Sequence, residues 1–250
     1  AYTAAWQKDS KLSTINSNLK SVMDFAFFDR INKAKNEETD DWWNGLNRVY
    51  NDLCYDYLYP NPSSVMAFIE NHDTDRFLGN GTDTLALKQA LALLLTMNRI
   101  PQLYYGTEIL MNGTKEKTDG DVRKDFPGGF PGDKQNAFTA EGRTKEQNAM
   151  FSWLSRLLHW RKGNEVISKG KQTHFIPFKG IYVLARTLDK RHVLTIMNGA
   201  SKPATMPVAR YAEVIGEVDE VRDVLTGRTV SLLEDLQLSP RETLVVEWSE

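Results

Sequence analysis

Cysteine is nearly missing from this 250-residue chain, where Cys54 stands alone. A single thiol excludes an intrachain disulfide, and its setting in an apolar helical pattern predicts a core filler rather than a nucleophile. Neither sign of charge is in excess, with 31 basic residues against 33 acidic ones. Electrostatic attraction to nucleic acid or to an anionic membrane is therefore not expected. Long apolar runs are absent too: the stretch Leu85 to Met97 is broken by Lys88 and Gln89, so no membrane span is predicted. The opening residues A-Y-T-A-A-W-Q-K hold no signal-peptide core, and with so little cysteine the compartment stays open. No internal repeat or low-complexity tract breaks the chain.

What is present centres on S-V-M-A-F-I-E-N-H-D-T-D-R, from Ser64 to Arg76. Val65 to Ile69 is apolar at every position, as expected of a parallel strand covered on both faces. Seven polar residues follow at once, from Glu70 to Arg76. In α/β barrels and open α/β sheets ligands meet the carboxyl ends of strands, so this change of texture marks candidate chemistry. Asp83 or Thr82 then caps a helix to about Asn98, and Ile100 to Tyr105 reads as a second strand. Strand, helix, strand is a βαβ unit, whose crossover makes parallel neighbours.

Before this unit, Ala1 to Lys20 reads as loop with a short helix near Trp6, and Ser21 to Phe28 as another buried strand interrupted by a structural Asp24. Glu37 to Leu58 has helical spacing, with Trp42, Leu46, Val49, Tyr50, Leu53 and Tyr57 on a face expected to pack in the core. Thr39 or Asp40 is its expected N-cap, and Tyr59-Pro60-Asn61-Pro62 ends it. Beyond the second strand, Gly106 to Gly142 forms a long glycine-rich loop with Phe126, Phe130 and Phe138. Structureless connections longer than about 12–15 residues are usually functional or disordered, and aromatic content argues against disorder. Hanging from the rim where the strands end, the loop is read as a substrate-side wall. Its Asp119 and Asp121 lack the spacing of a calcium loop, so no metal site is predicted.

A third helix, about Thr144 to Lys162, closes the first part. Short period-two strands then follow: Thr173–Phe178, Ile181–Leu188, His192–Asn198, Val221–Leu225, Thr229–Leu233 and Leu244–Trp248, separated by turn signals. Residues 1–162 are expected to form one α/β unit and residues 163–250 a small antiparallel β-sandwich.

Paired carboxyl groups can divide nucleophile, acid and base roles between them. From the residues alone the pair could be drawn from Glu70, Asp73, Asp75 and Glu108, and His72-Asp73 could equally be a turn with a capping aspartate.

Four stretches, in order, narrow this. Phe68-Ile69-Glu70-Asn71-His72-Asp73 resembles the motif ending the seventh barrel strand of the α-amylase family of glycoside hydrolases. Ile100 to Glu108 resembles that family's eighth strand, Asp125-Phe126-Pro127-Gly128-Gly129 its substrate-side loop in the neopullulanase and cyclomaltodextrinase branch, and Asp223 to Gly227 a turn of its C-terminal β-domain. The resemblance implies strands six to eight of a (β/α)8 TIM barrel followed by the sandwich. It also implies a retaining α-glucan hydrolase working by double displacement without a cofactor. Its nucleophile and general acid belong to strands that precede these. Asp73 is then the family's third carboxylate, which accepts hydrogen bonds from sugar hydroxyls at the transition state. His72 is expected on the same sugar ring, with Arg123 and Asp125 on bound glucan or in a loop-internal ion pair. Arg76, Glu70 and Glu108 are read as support beneath the site, and Tyr104 and Tyr105 as core or pocket floor. A fragment with one of three carboxylates is expected to be inactive alone, its open barrel edge either covered by self-association or tolerated at low stability. The rivals are a transglycosylase or α-glucosidase of the same family and, in another class, a glucan-binding module using Tyr182 and Trp248.

Overall fold

A computed structural model describes residues 19–250; the helix expected near Trp6 lies outside them. Two short parallel strands, β1 (Met66–Phe68) and β2 (Ile100–Gln102), pair with Met66 opposite Ile100 and Phe68 opposite Gln102. Met23 adds a parallel bridge to Met66 on the other side. The strand expected over Ser21–Phe28 goes no further than that bridge. Asp24 instead accepts a hydrogen bond from Phe27 N at 3.0 Å and starts helix α1 (Phe25–Ala34), which buries Phe27, Ile31 and Ala34 at helical spacing. A short apolar run does not reveal its own period, and here the cap decided it.

The helix expected over Glu37–Leu58 is shorter. Helix α2 spans Leu46–Leu53 and tightens into a 3-10 turn over Cys54–Leu58. Thr39 does supply a cap, accepting from Leu46 N at 3.0 Å, but from a loop six residues long rather than from the adjoining turn. Leu46, Val49 and Leu53 are buried, whereas Trp42, Tyr57 and Cys54 are exposed, contrary to the core roles expected of them. Trp42 lies before the helix and the other two lie in its 3-10 extension, so their helical spacing is not realised.

Helix α3 (Thr84–Thr96) begins as its sequence predicts, Asp83 accepting from Leu85 N and Ala86 N. It is apolar all round and buried from Ala86 to Thr96 except Lys88, as a helix enclosed between two layers must be. Beyond β2 come the four-residue helix α4 (Asp119–Val122) and the long helix α5 (Lys145–Arg161), opened by a capping box of Thr144 and Gln147. A short α6 (Glu165–Lys169) leads into the second part.

There the strands are β3 (Lys171–His174), β4 (Ile181–Leu188), β5 (Arg191–Asn198), β6 (Ala204–Met206), β7 (Glu220–Asp223), β8 (Thr229–Ser231), β9 (Leu236–Leu238) and β10 (Thr243–Ser249), with a short helix α7 (Ala212–Ile215) after β6. Six of them form an antiparallel sheet in the order β3-β4-β5-β10-β7-β8, and β6 pairs with β9. The central strands alternate as strands do. Tyr182, Leu184, Val193, Met197 and Val245 join one core with α3, while Ile181, Val183, Leu194, Ile196 and Val246 join another with Met206, Tyr211 and Leu238. One face of the sheet is thus covered by β6, β9 and α7, the other by α3. Polar links fix the second contact: Gln89 Nε2 donates to Asn198 O at 2.7 Å, and Arg186 Nη1 donates to Thr96 O at 3.0 Å.

Candidate active site

Where β1 ends, the chain makes a tight turn held by its own side chains. Asn71 N donates to Thr74 Oγ1 at 2.9 Å, and Asp73 N donates to Asn71 Oδ1 at 2.8 Å. Asn71 and Thr74 are buried by this, so the two residues between them are lifted out. The side chains of His72 and Asp73 are 60% and 59% exposed, with His72 Nε2 3.2 Å from Asp73 Oδ2.

Below the turn lies a buried ionic layer. Arg76 is fully buried and Glu70 nearly so, at 3.8 Å from each other. Arg76 donates from Nε to Val122 O at 3.0 Å and from Nη1 to Tyr105 O at 2.5 Å, and its guanidinium lies 4.0 Å from the Tyr104 ring centroid. Glu70 accepts from Phe77 N at 2.5 Å and from the Thr107 hydroxyl. Burial pushes the Glu70 carboxyl above its ordinary range, against the opposing pull of these hydrogen bonds and of Arg76. Such a shift is one thing a general acid needs, but both Glu70 oxygens are occupied and face inward. Its role is to hold the turn. Burial likewise pushes the Tyr104 hydroxyl up to about 12.

The glycine-rich loop closes against this layer. Gly113 O accepts from Arg76 N at 3.1 Å, and a Cβ on Gly113 would meet Asp121 O at 2.2 Å, so only glycine admits the close approach of α4. Thr118 caps α4, and Arg123 at its end turns back to the strand turn. There Arg123 Nε donates to His72 O at 2.8 Å and Nη2 to Asp73 Oδ1 at 2.9 Å, with Asp119 Oδ2 3.6 Å away. Lys115 reaches Asp73 O at 3.3 Å and Asp119 at 3.2 Å.

His72, Asp73 and Arg123 therefore meet at one exposed point. Asp125 is exposed and joins none of them; the neighbouring Phe126 packs on Phe138 with ring centroids 4.6 Å apart. Glu108 does not support the turn. It lines a separate apolar cleft of about 250 Å³ with Leu103, Phe151 and Leu158. Thr107, one residue earlier, holds Glu70 instead, and neither it nor Lys115 was singled out by sequence; a threonine beside a strand end carries no signal of its own. Asp119 and Asp121 are committed to lysines and Arg123, and among the described residues no group of three or more histidine, cysteine or acidic side chains could hold a metal ion. Of the platform considered for a glucan-binding module, Tyr182 is wholly buried and Trp248 stacks on His192 at 4.7 Å. No helix among the described residues is long and apolar enough to cross a membrane.

Chemically, the exposed point is a carboxylate with a cation beside it and an imidazole on its other side. It can accept hydrogen bonds from a pair of hydroxyls in charge-assisted form.

Comparison with known proteins gives two family matches: the α-amylase catalytic domain over residues 3–128, and the cyclomaltodextrinase C-terminal domain over residues 172–247. A cyclomaltodextrin glucanotransferase of Geobacillus stearothermophilus is 26% identical over 94% of this chain and 31% of its own length. An α-amylase of Niallia circulans is 26% identical over 80% of this chain and 35% of its own. The crystal structure of the α-amylase from Geobacillus thermoleovorans, complexed with acarbose, superposes with a TM-score of 0.71 at 20% identity, covering 100% of this chain and 52% of that one. The chain thus spans about a third of the length of these curated relatives and about half of the solved structure.

Proposed function

Since the chain belongs to the α-amylase family, we propose that it carries one wall of an α-glucan-cleaving site, in which Asp73 stabilises the transition state. The observation that carries the reading is the exposed Asp73 carboxylate, fixed by Arg123 and flanked by His72 at the end of a parallel strand. An ionised acceptor on two sugar hydroxyls strengthens as the ring distorts, and only interactions that strengthen in this way accelerate bond cleavage. His72 and Arg123 contact the same sugar, and Asp125 contacts glucan further along the loop. The nucleophile and the general acid belong to the part of the family's barrel that this chain does not contain. The part up to residue 162 carries the last strands of that barrel, and residues 163–250 are its C-terminal β-domain, packed on it through α3.

The 250-residue chain is accordingly expected to bind maltooligosaccharides without hydrolysing them. Titration calorimetry with maltotriose tests this: Asp73→Ala should abolish binding at this site. Undiminished binding by the variant, or glucan hydrolysis by the purified chain, would sink the reading. The matched cyclomaltodextrinase C-terminal domain favours a hydrolase of the cyclomaltodextrinase and neopullulanase branch. The glucanotransferase relatives favour a second reading, sugar transfer in place of hydrolysis, with the same role for Asp73. Exposed Phe25 and Ile100 beside the parallel strands suit self-association of this chain. Sedimentation showing only monomer at micromolar concentration would count against that.

A further inference from the structure

An imidazole stands where the two parts of the chain meet. His174 ends β3, the edge strand of the six-stranded sheet, which pairs with β4 alone. Residues two apart on a strand share a face, and this face of β3 is turned to the first part of the chain. Gln172 Oε1 accepts from Asn98 N at 2.7 Å, and the His174 ring centroid lies 5.0 Å from that of Tyr50 on α2. On the side of the sheet, His174 Nδ1 is 3.1 Å from the hydroxyl oxygen of Tyr182. Tyr182 is wholly buried, in the core that Tyr50 also packs against. Among the described residues this is the one hydrogen bond its hydroxyl makes.

That bond depends on protonation. A neutral imidazole leaves one nitrogen bare, which accepts the hydroxyl proton of Tyr182; an imidazolium donates from both nitrogens and accepts at neither. Protonation therefore strands the Tyr182 hydroxyl proton inside the core, where an unpaired donor is costly. The new charge would also find little to meet it. Burial and a bond with Cys54 push the facing Tyr50 hydroxyl up to about 12, so it offers no anion. Asp56, in the 3-10 turn after α2, draws on the ring, but its carboxylate is already engaged by both terminal nitrogens of Arg99. Asp52 of α2 acts on the Tyr182 hydroxyl and is itself pushed up to about 7 by burial. Lys171, at the far end of β3, is exposed. Burial accordingly pushes the His174 imidazole below its ordinary value, and Asp56 opposes this only in part.

We propose that His174 is an acid-sensitive latch between the two parts of the chain. Neutral, it closes β3 and the Tyr182 hydroxyl against α2; protonated, it frees that corner while α3 holds the rest of the sheet. The proposal takes nothing from the α-glucan reading. The folded form holds this proton less tightly than the unfolded chain does. The latch is therefore whole above about pH 6.5 and is lost as pH falls through the lower folded value. Hydrogen exchange of the whole chain at about pH 7.5 and about pH 5, each peptide scaled to its unfolded rate, tests this by reading local opening. In the parent, amides of α2, β3 and the start of β4 should lose protection several-fold in acid, while those of α3 and β10 keep theirs. His174→Gln, whose amide oxygen accepts from Tyr182 at either pH, should keep protection throughout. An equal acid-induced loss in variant and parent, or no loss in the parent, overturns the latch. Nuclear magnetic resonance titration of the four histidines in the unsubstituted chain gives a check that needs no variant to fold. The His174 ring should titrate below the ordinary imidazole range, and the Tyr50 and Tyr182 ring signals should shift with the same midpoint. Tyrosine signals that ignore the His174 titration, or a ring that stays neutral until the whole chain unfolds, would overturn it as well.

Discussion

Arg76 illustrates how a fully buried residue can fix an exposed turn. Its charge is buried opposite Glu70, and its hydrogen bonds end on Val122 and Tyr105 carbonyls. Arg76→Met would leave Glu70 buried and unpaired, which costs about 3–5 kcal/mol in such pairs. Urea denaturation should register that loss, and the double variant Arg76→Met/Glu70→Gln should recover part of it. A second cluster responds to pH. Asp52, half-buried near Asp24 and Asp56, is pushed up to about 7, chiefly by burial and then by Asp24. Arg99, which binds both Asp24 and Asp56, pulls the other way. The folded form holds its proton more tightly than the unfolded chain does. Its contribution is therefore whole below about pH 4 and disappears as pH rises through about 7. Asp52→Asn, fixed in the uncharged form, should match the parent at pH 4 and melt higher at pH 8, by no more than about 4 kcal/mol. An equal offset at both pH values would refute the assignment. The placement of His72 and Asp73 at the end of a strand was legible from the apolar run before them. Their clamp was not, because Arg123 lies 50 residues from Asp73 and only the folded loop joins them.

Elements differed in legibility according to how much of their stabilisation is local. Helices α3 and α5 carry their start signals and their apolar spacing in consecutive residues, and both begin where Asp83 and Thr144 predict. Thr144→Ala removes the capping box of α5 and should cost about 1 kcal/mol in thermal or urea unfolding. The stretch after Ser21 carried an ambiguous apolar run, and the cap at Asp24, itself held by Arg99 at 3.0 Å, tipped it to helix. Strands β6 and β9 went unread because each has three residues and pairs only with the other. The wide helix expected around Trp42 failed for a nonlocal reason: Glu37 and Thr39 are claimed by Arg48 and Leu46 in a folded-back loop.

For the molecule as a whole, α3 is the shared interior. Leu91, Leu93, Leu94 and Leu95 are wholly buried, in one core with Tyr182, Leu184 and Val245 of the antiparallel sheet. Leu94→Ala should cost about 2–5 kcal/mol, and the chain should still unfold in a single transition by calorimetry. Residues 163–250 expressed alone would bare the face that α3 covers and strip Arg186 of its Thr96 acceptor. That piece should bind a hydrophobic dye and melt broadly; a sharp transition would show that it folds without α3.

Arg76 also bears on how such proteins can be re-engineered. Its side chain fastens the glycine-rich wall to the strand turn from underneath, through a backbone oxygen at Val122. A wall transplanted from a relative of different loop length must therefore bring an acceptor to that same spot. Without one, the graft would leave a stranded cation under the His72–Asp73 turn, however well its outer surface packed.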